Sequence, residues 1–258
     1  MISDCQNIIE IDLSHFKSSD VSSCYSMFAN CHLLKTINFS KLDFKLCESF
    51  EKMFLNCENL IELDVFDFNT ANSKSFESMF HNCKNLIKLD VSNLNTANSK
   101  SFKKMFYNCQ SLIELDVSHF NTANSKTFES MFEECLNLIK IDVRNFNSSE
   151  CESVYRMFKN CKNLTEIDMI NFNLNKLDFS IFSFLRRKNP INELFSGCSK
   201  LNKIKLNINI NNYKSKINED SNIFYGVPEN GIFFYRKGEN NNKSFLRYLP
   251  LSWDKIEE

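Results

Sequence analysis

Apolar positions recur along this chain every twenty-six residues. Met27-Phe28, Met53-Phe54, Met79-Phe80, Met105-Phe106, Met131-Phe132 and Met157-Phe158 are evenly spaced, and a cysteine stands four places after each Met. A fixed period of that length signals a solenoid, in which each repeat buries its apolar side against its neighbours. In the repeat that starts at Cys83, Leu86, Leu89 and Val91 carry an L-x-x-L-x-L spacing. Leu89 and Val91 have the two-residue period of a strand with one buried face. Just upstream, Phe76, Met79, Phe80 and Cys83 fall at i, i+3, i+4 and i+7, which places four apolar groups on one helical stripe. Ser73 or Ser75 can cap that helix and Asn82 can end it in a left-handed conformation, while Asn69-Thr70-Ala71-Asn72 makes a polar turn. The predicted fold class is α/β, with one short parallel strand plus one short helix per 26-residue repeat. Helices on one side and strands on the other predict a curved solenoid with its sheet concave.

The repeats run over residues 1–210, with an irregular insertion at about 176–190 where eleven extra residues separate Cys161 from Cys198. Phe179, Ile181, Phe182 and Phe184 there predict a longer helix over the same core; Arg186, Arg187 and Lys188 after them offer a basic protrusion instead. Residues 211–258 read as a C-terminal β-rich cap. Ile223-Phe224-Tyr225 and Ile232-Phe233-Phe234-Tyr235 form two strands around the turn Pro228-Glu229-Asn230-Gly231, and Leu249, Leu251 and Trp253 plug the last repeat. The chain opens inside a repeat at Cys5 and Ile8–Leu13, so either the sequence is a fragment of a longer product or its uncapped amino-terminal edge strand pairs in self-association.

Only 4 Gly and 3 Pro are present, so Asn, which tolerates the left-handed conformation, punctuates the turns. The net charge of −1 is interspersed, which argues against nucleic acid as a partner. No run of about twenty apolar residues predicts membrane insertion, and MISDCQNIIEIDL is not a signal peptide; the sequence alone therefore reads as cytoplasmic. Of the 11 cysteines, Cys5, Cys31, Cys57, Cys83, Cys109, Cys135 and Cys161 share one phase, closed by Cys198, and are expected to stack as reduced, buried hydrophobes. Cys47 and Cys151 lie four repeats apart, about 20 Å at strand spacing, beyond disulfide reach. An exported form would be marked by oxidation at Cys24, Cys47 or Cys151. His15, His32, His81 and His119 are scattered without partners for a catalytic triad, no phosphate-binding glycine loop exists, and no Cys/His grouping has zinc spacing. Neither enzymatic activity nor a cofactor or metal is expected.

Function is instead expected on the outward strand positions, where solenoids bind. One row reads Glu62, Lys88, Glu114, Lys140, Glu166 and the next Asp64, Asp90, Asp116, Asp142, Asp168. The first alternates in sign and fixes register through cross-strand pairs. The second puts like charges about 5 Å apart, so it calls for a cation, a basic partner, or local hydrogen-bond donors such as Ser92 and Ser118. These ten residues are the candidate binding face.

The repeat Phe80-His81-Asn82-Cys83-Lys84-Asn85-Leu86 followed by Leu89-Asp90-Val91-Ser92-Asn93-Leu94 resembles the BspA-like leucine-rich repeat proteins, over residues 1 to about 175 and again from Ile191. The resemblance implies a leucine-rich-repeat solenoid whose concave sheet binds a protein or a surface polymer, most often in adhesion at the cell surface. Two features depart from it. No secretion signal or surface anchor stands in the sequence, and Phe68, Leu94, Phe120, Phe146 and Phe172 hold the place of that family's asparagine ladder. An intracellular scaffold is the alternative reading.

Overall fold

The computed structural model of the chain describes residues 2–15, 21–39, 42–172, 177, 189–206, 222–235 and 246–257. Each coil contributes one short strand: β1 (Glu10–Asp12), β2 (Thr36–Asn38), β3 (Glu62–Asp64), β4 (Lys88–Asp90), β5 (Glu114–Leu115), β6 (Lys140–Ile141), β7 (Glu166–Met169), β8 (Lys203–Leu206), β9 (Ile232–Tyr235) and β10 (Asp254–Glu257). Every strand pair is parallel, in chain order. Register follows the repeat, with Leu63 opposite Leu89 and Ile167 opposite Ile204. The central strand residue points inward and its neighbours outward, as Leu63 between Glu62 and Asp64 illustrates.

The helix predicted for each repeat does not form. Among the described residues the chain is a parallel β-solenoid without α-helix, and the α/β expectation is corrected accordingly. The reason lies in two left-handed residues per coil. Ser78 has φ 57° and Asn82 φ 61°, and the same two positions are left-handed in the other coils, as at Ser26 and Asn30 or Lys104 and Asn108. A right-handed helix cannot carry such a residue every fourth position. Instead Met79 N–H bonds the Phe76 carbonyl and Cys83 N–H the Phe80 carbonyl, each closing a four-residue turn with φ positive at its third residue, as a type II turn requires. Two linked turns return the chain every four residues, so Phe76, Met79, Phe80 and Cys83 all become fully buried, just as a helical stripe would bury them. The remaining amides bond across coils: those of Phe76, Ser78, Phe80 and Asn82 donate to the carbonyls of Ser101, Lys103, Met105 and Tyr107. Ser75 does cap this segment, but it caps a turn, its Oγ accepting from Glu77 N at 3.2 Å. With no helices on the far side, the expectation of a concave sheet loses its basis.

Columns of identical side chains form the interior. Phe54, Phe80, Phe106, Phe132 and Phe158 stack with ring centroids 5.4–5.7 Å apart, and Phe195 and Phe224 continue the column at 6.0 and 5.8 Å. Phe224 thus belongs to a further turn segment, with Gly226 left-handed at φ 76°, and Ile223–Tyr225 is not a strand. The cysteines of the shared phase are free and, apart from half-buried Cys5, buried. Their thiols donate to carbonyls one coil back, Cys57 to Phe28, Cys83 to Phe54 and Cys109 to Phe80, at 3.1–3.3 Å. Burial pushes the Cys57 and Cys135 thiols up to about 12, so they stay protonated.

An asparagine ladder is present after all, one residue before the cysteines. Asn56 Nδ2 donates to Asn30 Oδ1, Asn82 to Asn56 and Asn108 to Asn82 at 2.6–2.8 Å. At Glu134 the column changes character, because a carboxylate only accepts, here from Asn160 at 2.6 Å. Gly197 ends it: a Cβ there would stand 1.9 Å from Asn160 Oδ1.

Both ends differ from the regular coils. Cys24 and Cys47 form a disulfide, Cα to Cα 6.0 Å, at positions that Phe50 and Ser73 hold one coil later. At the other end β9 pairs with β8 and β10 with β9. Trp253 is buried, its Nε1 bonding the Pro228 carbonyl at 2.9 Å, and Gly231 gives it room, since a Cβ there would lie 2.7 Å from the indole. Leu249 is buried as expected, whereas Leu251 is 95% exposed and plugs nothing. Phe179, Ile181, Phe182, Phe184 and the Arg186-Arg187-Lys188 run lie outside the described residues.

Candidate interaction face

The ten residues proposed from sequence come together on the outer side of β3–β7. Glu62 stands opposite Lys88 and Asp64 opposite Asp90; Glu114 opposite Lys140; Glu166 opposite Lys203 and Asp168 opposite Lys205. Glu166 and Lys203 form an ion pair at 2.9 Å, and the Lys203 ammonium holds the Glu166 carboxyl below its ordinary range. The alternating row therefore extends one coil beyond the five residues identified from sequence.

Each aspartate of the second row closes its own strand. The Oδ1 atoms of Asp64, Asp90, Asp116, Asp142 and Asp168 accept from the amides of Phe66, Ser92, Ser118, Arg144 and Ile170 at 2.8–3.1 Å. This is the Asx turn, in which a side chain satisfies the backbone amide two residues on. Ser118 Oγ adds a hydroxyl bond to Asp116 at 2.7 Å, and Arg144 engages both oxygens of Asp142. Hydrogen bonds from the side chain and then the backbone of Ser92 and Ser118 hold the Asp90 and Asp116 carboxyls below the usual carboxylate range. The row thus has a structural role that accounts for aspartate in these five successive coils, and its charge is partly met by local donors.

Two of the depressions among the described residues involve both charged rows. One of about 260 Å³, between β6 and β8, is lined by cations and anions together, including Lys140, Asp142, Arg144, Glu166, Lys203 and Lys205. The other, about 490 Å³ over β2–β4, adds the exposed Phe66 ring to Glu62, Asp64, Lys88 and Asp90. Among the described residues no cluster of three His, Cys, Asp or Glu side chains is placed to hold a metal ion, and no helix is long and apolar enough to cross a membrane.

Sequence reasoning missed a third row. Ile61, Ile87, Ile113 and Ile139, each just before its strand, are 44–55% exposed. Their spacing is visible as a period of twenty-six, but an isoleucine beside an inward leucine reads as core. A charged cluster on the turn side was missed too. Arg156 pairs with Glu193 at 2.7 Å and Glu133 at 3.8 Å, and Lys159 also pairs with Glu193. Burial raises the Glu133 carboxyl; burial acts in the same direction on Glu193, but hydrogen bonds from Lys159 and Arg156 outweigh it and hold that carboxyl low.

Residues 1–114 and 87–189 each match the family described as "Mycoplasma protein of unknown function, DUF285". The chain belongs to the DUF285 family. The two matches overlap because coils of one length let the pattern slide along the array. No curated protein matches this DUF285 chain. Among solved structures it is similar to a leucine-rich repeat protein from Bacteroides ovatus, at 15% identity and a TM-score of 0.34, covering 98% of this chain and 76% of that one.

Proposed function

We propose that this DUF285 chain is a non-enzymatic interaction module that holds a protein or surface polymer against the outer face of β3–β7. The observation that carries this reading is the pair of regular outward rows, Glu62, Lys88, Glu114, Lys140, Glu166 and, beside it, Asp64, Asp90, Asp116, Asp142, Asp168, whose side chains have no inward packing role, on a scaffold with side-chain ladders behind it. A repeated rigid surface loses little conformational freedom on binding, which favours extended partners. The BspA-like resemblance adds adhesion at the cell surface as the setting. The Cys24–Cys47 disulfide supports that setting over an intracellular scaffold, because disulfides persist in oxidising compartments.

The test separates charge from fold. Asp90→Asn, Asp116→Asn and Asp142→Asn together keep the Asx-turn acceptor and remove three charges. Retention of surface proteins and polymers from the source cell on the immobilised variant is compared with wild type and with a Lys74→Gln, Lys126→Gln control on another wall. Loss in the triple variant alone supports the reading; equal retention by all three sinks it. Protease shaving of intact cells decides the setting, since release before lysis is expected for the adhesive role.

A further inference from the structure

We propose that the isoleucine stripe and the alternating row beside it form an isologous contact between two copies of this chain. The inference rests on the reading of the strand face as a contact surface and names its partner. Ile87 N bonds the Ile61 carbonyl at 2.9 Å and Ile139 N the Ile113 carbonyl at 3.0 Å, so the four isoleucines stand in one column at strand spacing, roughly 15 Å long. A single exposed isoleucine needs no explanation. Four in register make a continuous apolar strip, and such strips on a polar surface mark contacts. The strip is bounded: Lys35 and Thr165 hold the same position in the coils on either side.

Charge selects the partner. Beside the strip the row reads Glu62, Lys88, Glu114, Lys140, an even number of alternating signs. Reversed end to end, such a row meets itself with opposite charges throughout. A two-fold axis parallel to the strands, passing between β4 and β5, lays Ile61 on the partner's Ile139 and Ile87 on the partner's Ile113. The same axis sets Glu62 against the partner's Lys140 and Lys88 against the partner's Glu114. Aligning equal coils instead would oppose Glu to Glu and Lys to Lys. This is the geometry of a closed, isologous dimer. The aspartate row lies two residues further along each strand, about 7 Å away, at the solvated rim where salt screens it. The strip is smaller than the roughly 800 Å² per partner of a standard interface, so the dimer is weak and concentration-dependent.

Sedimentation velocity of the full chain over a range of protein concentrations tests this. Wild type should pass reversibly from monomer to dimer. Ile87→Ser with Ile113→Ser should remain monomeric at the same thermal midpoint. Lys88→Glu alone and Glu114→Lys alone should each weaken the dimer about tenfold or more, because each change occurs twice across the axis. Lys88→Glu combined with Glu114→Lys should restore it. Within one chain that double swap sets a carboxylate beside Glu62 and an ammonium beside Lys140, so restoration can arise only between copies. A wild type that is monomeric at every concentration, or a double swap that fails to restore the dimer, overturns the inference. If the wild type stays monomeric while the triple aspartate variant still loses a foreign partner, the contact between copies fails and the interaction module stands.

Discussion

The turn side and the strand side of each coil use repetition in opposite ways. On the turn side the same residue recurs in the same place and is buried: Phe80 under Phe106, Cys83 under Cys109, Asn82 bonded to Asn108. On the strand side the inward residue is constant in kind, while the outward residue changes sign from Glu62 to Lys88 to Glu114. Apolar rings and amides can stack without limit, since a ring attracts its copy and an amide is both donor and acceptor. Charges cannot, so an outward row must alternate or be met by local donors, as the aspartates are. Specification of the fold is therefore concentrated in the turns, and the strand side is left free to vary.

The sharpest test of that division is Phe106→Ala. It removes one ring from the middle of a fully buried column, and cavity formation should cost about 3–5 kcal/mol, read as a shift of the urea midpoint. A comparable loss from any outward strand residue would break the comparison. Next comes the amino-terminal staple. Reducing Cys24–Cys47, or replacing both by Ser, should cost about 3 kcal/mol for a loop of this length, and local hydrogen exchange should show the loss confined to the first coils. Without reductant, thiol titration in denaturant should count nine free cysteines, the nine left outside the disulfide; eleven would remove the staple.

Asn82 separates conformation from ladder. Asn82→Gly keeps the left-handed backbone and loses only the amide bonds, about 1 kcal/mol. Asn82→Ala loses the same bonds and also puts at φ 61° a residue that tolerates the left-handed region less well than asparagine, adding about 1 kcal/mol more. Equal losses would mean that the turn does not depend on that conformation. Glu134→Asn should stabilise slightly, because an amide there donates to Asn108 where a carboxylate cannot.

How far the sequence discloses this molecule follows from which physical signal repeats. The period, the parallel strands, their register and the inward positions are legible, because strands announce themselves through alternation and every coil restates it. The helix is not excluded, because Phe76, Met79, Phe80 and Cys83 show the same spacing whether one helix or two linked turns carries them. Ser78 and Lys104, at left-handed positions, give no compositional warning of the kind glycine would. Asn82 does give one, but a left-handed asparagine ends a helix and a turn equally well. On the face, the ten charged residues are legible as rows. The exposure of Ile61 and Ile87 is not, since consecutive outward positions arise only where the chain bends into its strand.

The smallest expected effects belong to the aspartate row, and there pH gives the sign. Asp90 is held below its ordinary range by Ser92. A carboxyl with a folded pKa below the unfolded value, near 3.9, stabilises fully above that value and loses its contribution as pH falls through the folded one. Wild type should therefore hold its thermal midpoint from neutral pH to about 4 and lose part of it below. Asp90→Asn keeps the turn acceptor but does not titrate, so at pH 7 it should lie within about 0.5 kcal/mol of wild type and show a shallower acid limb. Asp90→Ala removes the acceptor as well and should cost ~0.5–1 kcal/mol at pH 7. If Asn and Ala behave alike, the carboxylate is not closing the strand, and a row of five aspartates would again need a bound partner to explain it.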